Sequence, residues 1–151
     1  MSRAGRLRRC RRRIQSERGS AVIEAVIGVP AFMLFVGLIV FAGRVAIANQ
    51  AVGSAATEAA RSASISRTQG QATDTARAAA AQALSNQKVD CLRVSVDVDT
   101  SGFGAPVGTP ASIRATVTCM VNLSDLSVPG VPGTRTISAS MSSPLDTYRE
   151  R

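Results

Sequence analysis

Two features near the amino terminus have residue types and a spacing that could support chemistry: the peptide bond between Gly19 and Ser20, and the carboxylate of Glu24. An uncharged apolar run follows Glu24, and moving a carboxylate into a bilayer costs about 2–3 kcal/mol, so this group calls for a partner. Proteolysis after Gly19 would supply one by creating an ammonium group on Ser20. In one helix the two groups are a turn apart, and in staggered helices Glu24 could meet a neighbour's ammonium. The alternative is that Glu24 lies at the headgroup level and reaches water.

The three cysteines differ in the compartment that they are expected to occupy. Cys10 lies in the arginine-rich leader, residues 1–19, which is predicted to stay in the cytoplasm, where thiols remain reduced. Cys91 and Cys119 fall in the part of the chain that is predicted to be exported, where a disulfide can persist. We expect Cys91 to pair with Cys119, which would contribute about 3–4 kcal/mol on a chain-entropy treatment. The alternative is two unpaired cysteines that act as small apolar fillers.

No set of residues predicts catalysis. The chain contains no His, and the acidic residues of its exported part are scattered singly. Asp97 and Asp99 lie on one face of a predicted strand and could bind a cation weakly, although an exposed polar face is the simpler interpretation. The chain is therefore predicted not to be an enzyme, and no cofactor or metal is expected.

The element that must position Glu24 is a membrane-spanning helix. Residues 25–43 include no charged side chain, and as a helix they would span about 28 Å, close to the hydrocarbon thickness of a bilayer. We place the span at about residues 21–43. Residues 1–19 carry eight Arg and one Glu, so the amino terminus is predicted to be cytoplasmic and the remainder extracytoplasmic. The lipid bilayer is thus the first expected partner.

The charge distribution argues against nucleic-acid binding. The overall net charge is +8, but residues 20–151 hold ten basic and nine acidic groups. The chain has one Tyr, four Phe and no Trp, so it lacks the aromatic side chains on which bases stack. No nucleic-acid partner is predicted.

The hydrophobic periodicity predicts an α+β fold. A leader of residues 1–19, which is too charged to pack and is predicted to be disordered, precedes a helix over 20–64 that Pro30 should bend. Residues 65–90 hold a second helix, at about 71–85, which could fold back or continue the first. Residues 91–142 form a small antiparallel sheet, because 92–98 and 113–121 alternate with a period of two and a third strand is expected near 134–141. Residues 143–151 are assigned to an exposed tail.

A stripe of small apolar residues continues along the first helix after the predicted span. Such residues allow close approach between helices, so the stripe could contact a neighbouring subunit. It could equally cover the protein's own sheet. Its members are Val45, Ala48, Val52, Ala55 or Ala56, Ala59 and Ala63.

The junction resembles that of type IV prepilins, whose leader ends in Gly and whose mature helix has Glu at its fifth residue. More narrowly, residues 19–24, Pro30, Gly43 and the Ala-Ala-Arg ending at Arg61 are similar to the TadE-like family of minor pilins or pseudopilins of tight-adherence (Flp) pili. The resemblance covers residues 18–64. It implies that a prepilin peptidase removes residues 1–19 and that the remaining helix, anchored in the membrane, joins a pilus or secretion apparatus.

The partners that the resemblance implies are the prepilin peptidase, other pilin or pseudopilin subunits and the membrane assembly platform. Many pilins begin with a methylated Phe where Ser20 stands, so the resemblance does not extend methylation to Ser20. Major Flp pilins are much shorter than this chain, which favours a minor or accessory role.

Two other functions remain open. The chain could be a secreted envelope protein that is cut after the small-residue sequence Ala46-Ile47-Ala48, or an uncut signal-anchored tether. The mature amino terminus distinguishes the three: Ser20 for the pilin-like component, Asn49 for the secreted protein, and an intact leader for the tether.

Overall fold

The computed structural model describes the backbone of residues 4–124, 130 and 133–148, and the side chains in those ranges from residue 22 onward. The chain divides into two units, Met1–Val40 and Phe41–Arg151. Helix α1 (Ala4–Ser64) is followed by α2 (Gln69–Asn86) and three strands, β1 (Cys91–Asp99), β2 (Ser112–Asn122) and β3 (Thr134–Pro144), with a short 3₁₀ helix at Ser101–Gly104 between β1 and β2. The predicted α+β class is confirmed.

Helix α1 begins earlier than the sequence suggested. It starts at Ala4, so the expectation that residues 1–19 lack regular structure is wrong for residues 4–19. Charge alone does not prevent a helix there, because Arg has a high helix propensity and residues 6–18 contain neither Gly nor Pro. The helix also continues through Pro30.

Helix α2 has a capped start that its sequence encodes. Thr68 is the N-cap, and its Oγ1 accepts a hydrogen bond from the Gln71 N–H at 3.2 Å. The Gln71 side chain reaches back in turn, with Oε1 accepting from the Arg67 N–H at 3.2 Å. This is the reciprocal pattern of a capping box, displaced by one residue, and it fixes the start of α2 two residues before the predicted position.

Helix α2 folds back along the second half of α1, which resolves the alternative left open by the sequence. At one end, the Ser66 and Thr75 hydroxyl oxygens lie 2.8 Å apart, and Ser62 Oγ donates to the Thr75 carbonyl at 3.5 Å. At the other end, Ala48 and Gln87 line the same cavity. The two helices therefore form an antiparallel αα-hairpin.

The sheet has the order β1-β2-β3, with both pairs antiparallel. Strand β2 alternates strictly, and one face is buried, as predicted: Ile113, Ala115, Val117, Cys119 and Val121. Strand β1 departs from the prediction. It lies at an edge and its register shifts between Cys91 and Arg93, and Leu92 and Val94 remain 58% and 43% exposed.

The core of the second unit lies between the αα-hairpin and the inner face of the sheet. It is built mainly from alanine on the helices and from branched residues on β2, with Ile137 from β3. Near the 3₁₀ helix the chain approaches itself closely, since a Cβ on Gly102 would lie 2.5 Å from the Ser112 carbonyl oxygen.

The end of the chain is not wholly the exposed tail that was expected. Strand β3 runs to Pro144, and Leu145 is buried in the core. The Leu145 N–H donates to the Ala111 carbonyl at 2.9 Å, and the Thr147 carbonyl accepts from the Gly108 N–H at 3.0 Å. The apolar side chain of Leu145, directly after β3, packs at the edge of the core, whereas Tyr148 is exposed. The last three residues of the tail, and 125–129 and 131–132 of the connection between β2 and β3, lie outside the described residues.

Candidate functional site

The predicted processing and assembly residues lie in one uninterrupted helix. Gly19, Ser20 and Glu24 all belong to α1, so Ser20 precedes Glu24 by about one helical turn. The single-helix arrangement, one of the two that the sequence argument allowed, is therefore present in the backbone. The Glu24 side chain is exposed.

The residues that follow Glu24 form an apolar surface that nothing in their own unit covers. Helical residues Val22–Ser64 include a window with a mean hydropathy of 2.6, none of which is buried. Its large side chains are exposed, with fractions from 39% for Val36 to 67% for Ile27. By length and composition this helix could cross a membrane, which is consistent with single-pass anchoring.

On the face of α1 that carries Glu24, the residues next to the carboxylate have small side chains. Ala25 and Gly28 lie beside Glu24, and the larger side chains of Phe32 and Met33 follow a little more than two turns after Glu24. A Cβ placed on Gly28 would meet no atom within 4 Å. Small residues at this spacing leave room for the backbone of a second helix, so this face can accept a close helix–helix contact that brings a partner group to Glu24.

The small-residue stripe of α1 is occupied within the chain itself. Its residues from Ala48 to Ala63 are almost wholly buried, and they pack in one cluster with Ala72, Ala76, Ala80 and Leu84 of α2 and with the inner face of β2. Val45 is partly buried against the same cluster. Of the two interpretations that the sequence allowed, the structure supports the second, in which the stripe covers the protein's own sheet, and it adds α2 to the same cluster.

Cys91 and Cys119 form the expected bridge. Cys91 and Cys119 are joined by a disulfide with a Cα–Cα distance of 5.5 Å. Cys119 is fully buried on the inner face of β2, and Cys91 opens the edge strand β1 at the register shift. The bridge therefore ties the irregular start of β1 to the best-packed strand. Cys10 belongs to the residues whose side chains are not described.

Asp97 and Asp99 lie on the outer face of β1, as predicted. Asp99 Oδ1 accepts a hydrogen bond from the Ser101 N–H at 3.0 Å. Hydrogen bonds from the Ser101 side chain and backbone hold the pKa of Asp99 below its ordinary value, with a smaller contribution from the charge of Arg114. Asp99 thus has a structural role in starting the 3₁₀ helix. Among the described residues, no three His, Cys, Asp or Glu side chains are grouped so that they could hold a metal.

One feature was not anticipated from the sequence: a cavity of about 400 Å³ between residues 44–48 of α1, the end of α2 and the end of β2. It brings Arg44 and Lys88 to one place although they are far apart in the chain. The positions of charged residues in the sequence do not predict that Arg44 and Lys88 lie close together, because only the fold-back of α2 brings them to the same cavity.

The described structure defines a class of protein with one exposed apolar helix that leads into a small disulfide-bonded α+β module. Residues 19–61 match the profile of the family described as TadE-like protein, which confirms the predicted resemblance over that segment. The match begins at the residue that precedes the predicted cut. It associates the chain with the tight-adherence pilus and with pilus components in general. No curated protein and no solved structure matches the chain.

Proposed function

We propose that the chain is a structural minor pilin or pseudopilin of a tight-adherence pilus or a related secretion system. A prepilin peptidase cuts after Gly19 on the cytoplasmic face, and the mature chain begins at Ser20. The exported module then stands outside the membrane. The chain is the substrate of this proteolysis and has no catalytic role of its own.

The observation that carries the proposal is the position of Glu24. It is an exposed carboxylate on α1, and the next nineteen residues, 25–43, are uncharged. A carboxylate at such a site is costly unless a cation meets it. The ammonium of Ser20, in the same chain or in a neighbouring one, is a cation that the proposed cut creates at the right distance.

The distribution of exposed surface supports the same role. The second unit uses its stripe of small residues to close its own core, whereas residues 22–40 keep their apolar side chains exposed. A subunit of an assembly built around a shared bundle of helices needs this division, because one part must fold alone and the other must be free to pack against neighbours.

The structure offers an argument against the secreted alternative. A cut after Ala48 would separate Ala48 from the module, together with Phe41 and Val45, yet Ala48 is 3% exposed and the other two pack against the core. The released chain would begin within a buried turn of α1. The uncut tether keeps these contacts but leaves Glu24 without its cation.

The test is the mature amino terminus of the protein recovered from cells that contain the whole pilus system. Mass spectrometry of the amino-terminal peptide should give Ser20. A variant with Gly19→Val is the matched control, since a branched side chain hinders close approach of the protease to the backbone, and it should keep residues 1–19. A wild-type peptide that starts at Asn49, or one that retains the leader, would refute the proposal.

A further inference from the structure

The juxtamembrane cavity is lined by residues 44, 47, 48, 87–90 and 121–123. Its inner wall is apolar, formed by the buried side chains of Ala48, Val121 and Leu123. Its mouth is polar, with the exposed cations Arg44 and Lys88 and the exposed carboxylate of Asp90. The charged side chains of the cavity thus sum to one net positive charge.

Lys88 is held at the mouth by an unusual backbone conformation. It has a φ of 53°, in the left-handed region. Its N–H donates to the Ser85 carbonyl at 3.0 Å, and the Val89 N–H donates to the Leu84 carbonyl at 3.3 Å. These two bonds make the Schellman motif that ends many helices, in which this position is usually Gly.

A lysine at this position is conformationally more costly than a glycine, and it is the only non-glycine residue with positive φ among those described. Strain of this kind points to a use for the side chain. One use is local, since a cation near the carboxyl end of α2 interacts favourably with the helix dipole. The cavity beside it suggests a second use, which an experiment can separate from the first.

The cavity lies at the level where the membrane should end. Arg44 is the first charged residue after the uncharged stretch 25–43, so it marks the passage from hydrocarbon to headgroups. Ile47 is one turn further along α1, lines the same cavity and is 61% exposed. A cationic mouth and an exposed apolar side chain therefore occur together at this level.

We propose that the juxtamembrane cavity binds the phosphate of an anionic phospholipid headgroup, with Lys88 and Arg44 as the cations. The apolar lining favours a lipid over a free phosphate ion, because the glycerol and first acyl carbons next to the phosphate can cover the exposed side chain of Ile47. The bound lipid would fix the height of the exported module above the bilayer. The proposal rests on α1 spanning a membrane, and not on processing or on assembly into a pilus.

The test uses the full chain in micelles of an uncharged detergent, labelled for amide NMR. Three probes are titrated: dihexanoyl phosphatidylglycerol, dihexanoyl phosphatidylcholine and inorganic phosphate. The anionic lipid should give saturable shifts at residues 88–90 and 121–123. Lys88→Gln should weaken this binding about fivefold, the factor that corresponds to about 1 kcal/mol for one cation at an anionic surface.

Arg67→Gln is the charge-matched control, since exposed Arg67 lies at the other end of α2, about 30 Å from Lys88. It should bind the anionic lipid like the wild type. Lys88→Gly tests folding, because Gly suits the backbone there: its sheet amides should keep their shifts while lipid binding is weakened as in Lys88→Gln.

Three results would overturn the proposal. Equal shifts with the zwitterionic lipid would show that no anion is recognised, and equal weakening in Lys88→Gln and Arg67→Gln would show unspecific attraction. Binding of inorganic phosphate as tight as that of the anionic lipid would assign the cavity to a free ion. None of these results bears on the amino-terminal cut, so failure here is distinguishable from failure of the proposed function.

Discussion

Loss of the disulfide should destabilise the second unit strongly, and Cys91→Ala tests this with little change in packing. Cys119 is fully buried, and as a free thiol it can remain there as a small apolar filler, whereas Cys91 is only partly buried. The bridge closes a sequence separation of 28 residues. On a chain-entropy treatment this is worth about 3.6 kcal/mol, which corresponds to a fall of about 15 °C in Tm for a unit of this size.

Calorimetry of the full chain in detergent measures the cooperative transition of the module. Reduced wild-type protein should unfold near the Tm of Cys91→Ala, because both lack only the cross-link. A shift below about 3 °C, less than 1 kcal/mol, would refute the argument that an alanine-rich core depends on this bridge. Alkylation of the wild type before reduction adds a check, since labelling of Cys91 or Cys119 would show that no bridge formed.

Three further substitutions test separate parts of the argument. Glu24→Ala should insert into the membrane normally, because it removes a desolvation cost of about 2–3 kcal/mol, and should be depleted from sheared pili; normal pilus incorporation would contradict the role of Glu24. Gly102→Ala should cost about 1–3 kcal/mol in urea unfolding, because its Cβ meets a backbone carbonyl at 2.5 Å, whereas Gly104→Ala meets nothing and should be near neutral. Ala59→Leu should lower stability by a similar amount through overpacking, and exposed Ala46→Leu should not; equal stability of the two would count against burial of the stripe in this chain's own core.

The fold was predictable where the spacing of apolar residues shows which side chains share a buried face. The alternation in β2 identified a strand with one buried face because the period of a strand is two, and each inward position is indeed covered. The same pattern in β1 predicts an equally buried face, yet Val94 is 43% exposed. Periodicity says which side chains share a face, and it does not say whether another element extends far enough to cover that face.

The sequence did not predict how elements that are far apart in the chain pack against each other. The direction of α2 depends on a four-residue connection and on polar contacts of Ser62 and Ser66 with Thr75, none of which has a distinctive local pattern. The docking of Leu145 depends likewise on its pairing with Ala111. The cavity with Arg44 and Lys88 follows from the fold-back, and so it too was out of reach.

Some residues of the candidate site could be predicted from the sequence, and the role of others could not. Glu24 was recognisable because a lone acid before an uncharged run is energetically anomalous, and the cysteine pair because both residues fall in the segment that the sequence predicts to be exported. The stripe of small residues was ambiguous, since alanine suits a subunit interface and a protein's own core equally well. Only its contacts with Ala72, Ala76 and Ala80 decided between them.

The segment that matches the TadE-like family, residues 19–61, combines two physically different parts. Its first half has exposed apolar side chains and one carboxylate, while in its second half, from Ala48 onward, one face of the helix is buried in the core of the module and the opposite face is exposed. Substitutions on the buried face of the second half should therefore act through the stability of the module, and those near Glu24 through assembly without loss of stability. A defect in pilus assembly that arises from the second half while the module keeps its Tm would break this division, since it would mean that the buried stripe also contacts a neighbour.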